Sequence, residues 1–216
     1  TPKDHNATLS STTLQKFGFS IVAGLDLMKA DTVQHGIEAM RQFQAPSLNL
    51  TLIDKTQIGF KTIGLQPKRH KDHNTKGRMP SLGQRRENLW LGFYDYGENP
   101  QINSPDLGAI TNTNNKISDH PFPKHGSFHW GDSQRITRLN KLLQERTIHS
   151  RESLKEIQLD TISITARTLL PLVGADLWFD TTTKTNNPIE NVRITALKML
   201  ADWDGDMSEH LAEPAI

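Results

Sequence analysis

Proline and glycine interrupt the front of this 216-residue chain so often that no long regular element fits there. Pro46, Pro67, Pro80, Pro100 and Pro105 stand among threonine, isoleucine, leucine and aromatic residues from position 8 to about 115. Proline fixes φ and removes a backbone donor, so the stretches between become short strands and turns. The pattern predicts strands at 8–13, 17–23, 48–53, 58–63 and 109–113. It also predicts one helix over 32–43, where Val33, Ile37, Met40 and Phe43 recur at helical spacing behind Asp31 or Thr32 as N-cap. The basic, turn-rich stretch 68–86 reads as a solvated loop.

From Ser133 the texture changes to helical periodicity. Ile136, Leu139, Leu142 and Leu143 form one apolar stripe that ends before Thr147. Ser150 is placed to cap a second helix with Leu154, Ile157, Thr161, Ile164 and Leu169 inward, stopped by Pro171. After a polar hinge at 180–188, a third helix carries Val192, Leu197 and Leu200, with Gly205 as its stop. The shift sets a domain boundary near Ser150, giving segments 1–149 and 150–216.

Several function classes drop out. Lysine plus arginine exceeds aspartate plus glutamate by one, 25 against 24, so no global field selects nucleic acid or an anionic membrane as partner. The chain has no cysteine, which removes disulfides, thiolate nucleophiles and sulfur-bound zinc. No apolar run approaches a membrane span, and the first residues lack a signal-peptide layout; a targeting peptide would lie upstream of Thr1. Of the nine histidines, His70 and His73 sit in the basic loop and His120, His125 and His129 in a proline-containing segment. These spacings favour surface roles over metal ligation. Asp204, Asp206 and Glu209 lack the register of a calcium loop, and Trp203-Asp204-Gly205 reads as a helix-ending motif. No metal ligand and no cofactor are assigned.

Gly-rich phosphate loops, the Gly-x-Ser-x-Gly elbow and the His-Glu-x-x-His helix are all missing. What stands out is Asn112-Thr113-Asn114-Asn115, three amides after an expected strand, followed by Arg135 at the start of a helix. Asparagines there commonly make turns. A rigidly held amide NH2 can equally serve as donor to a developing oxyanion, and loss of one such donor costs about 3 kcal/mol in a transition state.

Around those asparagines runs an ordered series of short motifs. It begins Asn49-Leu-Thr-Leu-Ile-Asp54, Ile58-Gly59-Phe60, Gly64-Leu-Gln-Pro67-Lys-Arg69, Pro80-Ser-Leu-Gly83 and Trp90-Leu-Gly92-Phe93. It continues with Pro100, Asn103-Ser-Pro105-Asp-Leu-Gly108, Ile110-Thr-Asn-Thr-Asn114-Asn115, Gln134-Arg135-Ile136, Ile157-Gln158-Leu-Asp160 and Trp203-Asp204-Gly205. In order and spacing the series resembles the β-subunit of penicillin acylases and the related acyl-homoserine-lactone acylases, members of the N-terminal-nucleophile hydrolase superfamily.

The resemblance implies an α+β fold: part of a four-layer αββα sandwich, two antiparallel sheets between helices, followed by a helical segment. It implies a self-cutting precursor, a zymogen whose cleavage exposes a serine at the start of the β-subunit. The α-amine of that serine acts as base for its own hydroxyl. The oxyanion is held by a backbone N–H and an asparagine side chain. On that template Asn114 matches the oxyanion asparagine, Asn115 lies beside it, and Arg135 matches an arginine that organises the site. The interval from Asn114 to Arg135 is one residue shorter than the family's. Leu48 matches a wall position of the acyl pocket, with an ordinary core role as its alternative.

The opening departs from that template. Thr1-Pro2-Lys3-Asp4 is not the Ser-Asn-x-Trp start of such a subunit, so the nucleophile is expected upstream of this chain and the chain alone is expected to be inactive. Its implied partners are the α-subunit, the upstream β residues and an N-acylated small molecule such as a β-lactam or acyl-homoserine lactone. The implied compartment is the periplasm or the cell exterior. The family's structural calcium would keep a carbonyl near Gly77, but the position for an aspartate falls near Lys124, whose charge repels a divalent cation. The competing reading is a non-catalytic domain that binds small molecules or protein.

Overall fold

Strand β2, Ile58–Ile63, organises the front of the molecule, because five of its six residues are buried. The computed structural model describes residues 7–14, 18–106, 108–174 and 186–216. Its Cα positions separate into two compact units, one of Thr1–Ile110 with Lys116–Trp130, the other of Thr111–Asn115 with Gly131–Ile216.

In the first unit, β1 (Leu48–Ile53) and β5 (Gln101–Asn103) flank β2 in an antiparallel sheet of order β1-β2-β5. Leu48 lies opposite Ile63, Ile53 opposite Ile58, and Gly59 opposite Asn103. Strands β3 (Pro67–Arg69) and β4 (Trp90–Phe93) form a separate antiparallel pair. Two helices, α1 (Ser20–Leu27) and α2 (Val33–Ala39), accompany the larger sheet. Ala23 of α1, Met40 after α2 and Ile63 of β2 form the apolar centre, with Leu27, Phe43, Leu50 and Tyr96 packed on it.

Asp54 ties the β1-β2 turn to a helix. Its Oδ1 accepts from Thr56 N at 2.8 Å and Gln57 N at 3.0 Å, while Oδ2 accepts from Val33 N, the first residue of α2, at 2.8 Å. These bonds to the charged form, led by the one from Val33, hold the carboxyl well below the usual aspartate range. Thr32 caps α2 by accepting from His35 N at 3.1 Å. Lys61 is 1 % exposed; its Nζ donates to Asn99 O at 2.9 Å and stands 4.7 Å from the centre of the Tyr96 ring.

The second unit contains α3 (Gln134–Gln144), α4 (Arg151–Gln158), α5 (Ile164–Leu169) and α6 (Pro188–Asp202). Ser150, Ser163 and Asn187 cap α4, α5 and α6 through their side-chain oxygens. Trp203-Asp204-Gly205 does more than end α6. Gly205 O accepts from Ser163 N at 2.8 Å, Trp203 Nε1 donates to Asp206 O at 2.7 Å, and Asp206 pairs as a bridge with Ile162. The tail is thereby fastened to the α4-α5 connection.

Several expectations need correction. Residues 8–11 are not a strand, and Thr12–Leu14 is a 3-10 turn. Part of 17–23 lies outside the described residues; from Ser20 it is helix, because Ala23 and Leu27 face inward four apart while Ile21 and Val22 are exposed. Residues 109–113 pair with no strand. The single helix expected from Ser150 to Leu169 is two, separated where Ile162 meets Asp206, and Pro171 falls within the 3-10 turn Leu170–Val173. The hinge expected at 180–188 lies largely outside the described residues.

Candidate active site

Residues 111–115 are anchored to α3 and its lead-in at three points. Thr111 Oγ1 donates to Asn140 Oδ1 at 2.8 Å. Gly131 N donates to Asn114 O at 3.1 Å. Arg135 Nη2 donates to Thr113 O at 2.5 Å and to Asn114 Oδ1 at 3.0 Å.

The three asparagines divide the work. Asn112 Oδ1 accepts from Asn114 N at 3.2 Å, and Asn115 Oδ1 accepts from Thr113 N at 3.0 Å. Both are local side-chain-to-backbone braces of the kind that shape turns. Asn114 sits between them at φ 66°, a left-handed conformation that asparagine tolerates better than most residues. Its own side chain is exposed and leaves the turn to meet Arg135.

That meeting fixes which way the amide faces. A guanidinium has donors and no acceptor, so only the oxygen of Asn114 can face it. The NH2 is thereby turned away, with both hydrogens available to an acceptor. A polar donor on a braced turn, oriented by a charged neighbour, is an arrangement able to stabilise negative charge on an incoming oxygen.

One turn further along α3, Arg138 grips Asp160 with two bonds of 2.5 and 3.0 Å. Hydrogen bonding from Arg138 pulls the Asp160 carboxyl below its ordinary value, and the same bond raises the guanidinium. A cavity of about 440 Å³ opens alongside, bounded by Gln134, Arg135, Leu139, Leu142, Ile157 and Ile164 among others.

The other anticipated residues distribute as follows. Leu48 opens β1 in the first unit and is 48 % exposed, whereas Asn114, Asn115 and Arg135 belong to the second. His73 and His125, expected at the surface, are buried at 6 % and 8 % exposure; His125 lies 4.0 Å, ring centre to ring centre, from Phe128. At the two positions implied for calcium stand the cationic side chains of Lys124 and Arg69. Lys124 Nζ occupies Glu98 Oε1 at 2.8 Å, and a Cβ at Gly77 would stand 2.7 Å from the Arg69 guanidinium. These residues do not fit a divalent cation. Among the described residues, no three histidine, aspartate or glutamate side chains converge. Gly131 and Asn140 carry no sequence signal of their own; their roles appear only when α3 closes on the asparagine turn.

Comparison with known proteins gives the chain its family. The family model described as penicillin amidase matches residues 2–216. The chain is 26% identical over 139 residues to acyl-homoserine lactone acylase QuiP of Pseudomonas aeruginosa, covering 64% of this chain and 16% of that protein. It is 29% identical over 129 residues to penicillin G acylase of Escherichia coli, covering 59% of this chain and 15% of that protein. It therefore spans about a sixth of the length of these relatives. In fold it is similar to the thermostable penicillin G acylase from Alcaligenes faecalis, with a TM-score of 0.64 at 21% identity over 88% of this chain and 33% of that one. The chain belongs to the penicillin amidase family.

Proposed function

We propose that this chain is a segment of the catalytic β-subunit of an amide hydrolase that cleaves N-acylated small molecules, β-lactams or acyl-homoserine lactones among them. The nucleophile is an N-terminal serine of a larger precursor, upstream of this chain. The partners are the rest of that precursor, and the compartment is the periplasm or the cell exterior. The sandwich reading draws support from β2, with five of its six residues buried and α2 packed against its sheet.

One observation carries the mechanism: the donor-only guanidinium of Arg135 takes the oxygen of Asn114 and turns the NH2 outward. When the serine hydroxyl attacks the amide carbon, the carbonyl oxygen gains negative charge. Asn114 donates a hydrogen bond to it, favouring the tetrahedral state over the ground state. Collapse expels the amine and leaves an ester on the serine, which water then hydrolyses. Asn115 supports this by holding the Thr113 backbone.

The test is Asn114→Ala in the full-length gene product. We expect kcat to fall about a hundredfold or more, while the 216-residue chain alone hydrolyses no amide. Near-normal turnover in the variant, or activity in the isolated chain, would sink this reading.

A further inference from the structure

Gly131 closes the neck of the Asn114 turn. Its N–H donates to Asn114 O at 3.1 Å. A Cβ at position 131 would stand 2.9 Å from that same oxygen, 3.4 Å from the Asn114 carbonyl carbon and 3.6 Å from the Asn114 Cβ. The first distance is closer than a carbon tolerates, and the atom it meets is backbone, so no rotamer change relieves it. The requirement is for space and not for conformation, because φ at Gly131 lies outside the left-handed region.

Little slack exists for the turn to absorb a push. Asn114 is already in the left-handed region at φ 66°, its N–H is taken by Asn112, and its side-chain oxygen is held by Arg135. Gly131 and Arg135 are four residues apart, on the lead-in and first turn of α3. One short segment thus grips both the backbone and the side chain of Asn114.

We propose that Gly131 is a positioning residue, whose missing side chain sets how far the Asn114 amide stands from the reacting carbonyl. It touches no substrate; it acts through Asn114. The proposal rests on the reading of Asn114 as the oxyanion donor. A larger residue at 131 displaces that donor by several tenths of an ångström. Oxyanion donors must sit within roughly 2.7–3.1 Å of the oxygen, and a misplacement of about 1 Å costs about a hundredfold in rate.

The experiment compares Gly131→Ala, Asn114→Ala and the double variant with wild type, all in the full-length gene product, on chromogenic N-acyl anilides. Gly131→Ala is expected to lower kcat about five- to fiftyfold with KM within about twofold, and to have no further effect once Asn114 is alanine. Wild-type kcat in Gly131→Ala, beside a crippled Asn114→Ala, overturns the positioning role alone. An equal loss in the Asn114→Ala background also overturns it, since the effect would then be general. Normal turnover in Asn114→Ala defeats the oxyanion reading, and this inference with it. Should Gly131→Ala fail to fold, amide exchange on the wild type decides: a Gly131 N–H protected like the amides of α3 supports the clasp, and free exchange overturns it.

Discussion

Arg135 holds the side-chain oxygen of Asn114 at 3.0 Å from Nη2 while the same nitrogen bonds the neighbouring Thr113 carbonyl. Both bonds leave one planar nitrogen whose two hydrogens are fixed in direction by the rigid guanidinium, which a lysine ammonium on a flexible stem does not reproduce. Arg135→Lys in the full-length gene product keeps the charge and loses the orientation. We expect kcat to drop about ten- to a hundredfold with KM changed less than about threefold. A kcat within twofold of wild type would mean that charge alone suffices at this position.

The Arg138–Asp160 pair has side chains only 15% and 16% exposed and joins α3 to the end of α4. Removing one partner strands the other charge, at a cost of about 3–5 kcal/mol when fully buried. With partial exposure, Asp160→Asn should cost about 2 kcal/mol in urea denaturation of the 216-residue chain. The sign with pH follows from the lowered carboxyl: the contribution is full above the unfolded value near 4 and is lost as pH falls through the native one. Identical unfolding midpoints at neutral pH would show the pair to be energetically neutral.

Gly59 faces α2, and a Cβ there would run into Val33 Cγ1. Gly83 has open space around it. Gly59→Ala should therefore destabilise the chain by about 1–3 kcal/mol, with Gly83→Ala within about 0.5 kcal/mol of wild type. Thermal denaturation of the two variants side by side checks the packing of α2 on β2, and equal melting temperatures would count against it.

Elements with a strong period and a marked end were legible from sequence. β1, β2, α2 and the starts of α3 and α4 fall where alternation, helical spacing and the caps Thr32 and Ser150 place them. Elements decided by distant contacts were not. α1 reads as a strand from Ile21 and Val22 until Ala23 and Leu27 find Met40 and Ile63. The apolar spacing runs unbroken from Leu154 to Leu169, yet Asp206, far along the chain, draws Ile162 into a bridge and splits the helix. At the site, Asn114 and Arg135 announce themselves by residue type and resemblance. Asn112 acts by a brace within the turn itself, and Gly131 by a backbone contact that exists only after α3 closes on the turn.

Two buried imidazoles give the first unit its own pH dependence. Burial lowers both His73 and His125, and the charge of Arg69 adds to the effect. The unfolded chain, with histidine near 6.5, binds more protons than the native state in the window below that value. Stability therefore rises with pH through this window and falls on acidification below about 6.5, well above the range in which the Asp160 contribution is lost. His125→Phe keeps an aromatic ring beside Phe122 and Phe128 and removes one of the two protons. Urea midpoints measured from pH 7.5 to about 5 should drop less steeply in the variant than in wild type. Parallel curves would show that His125 takes up no proton on unfolding, contrary to its burial.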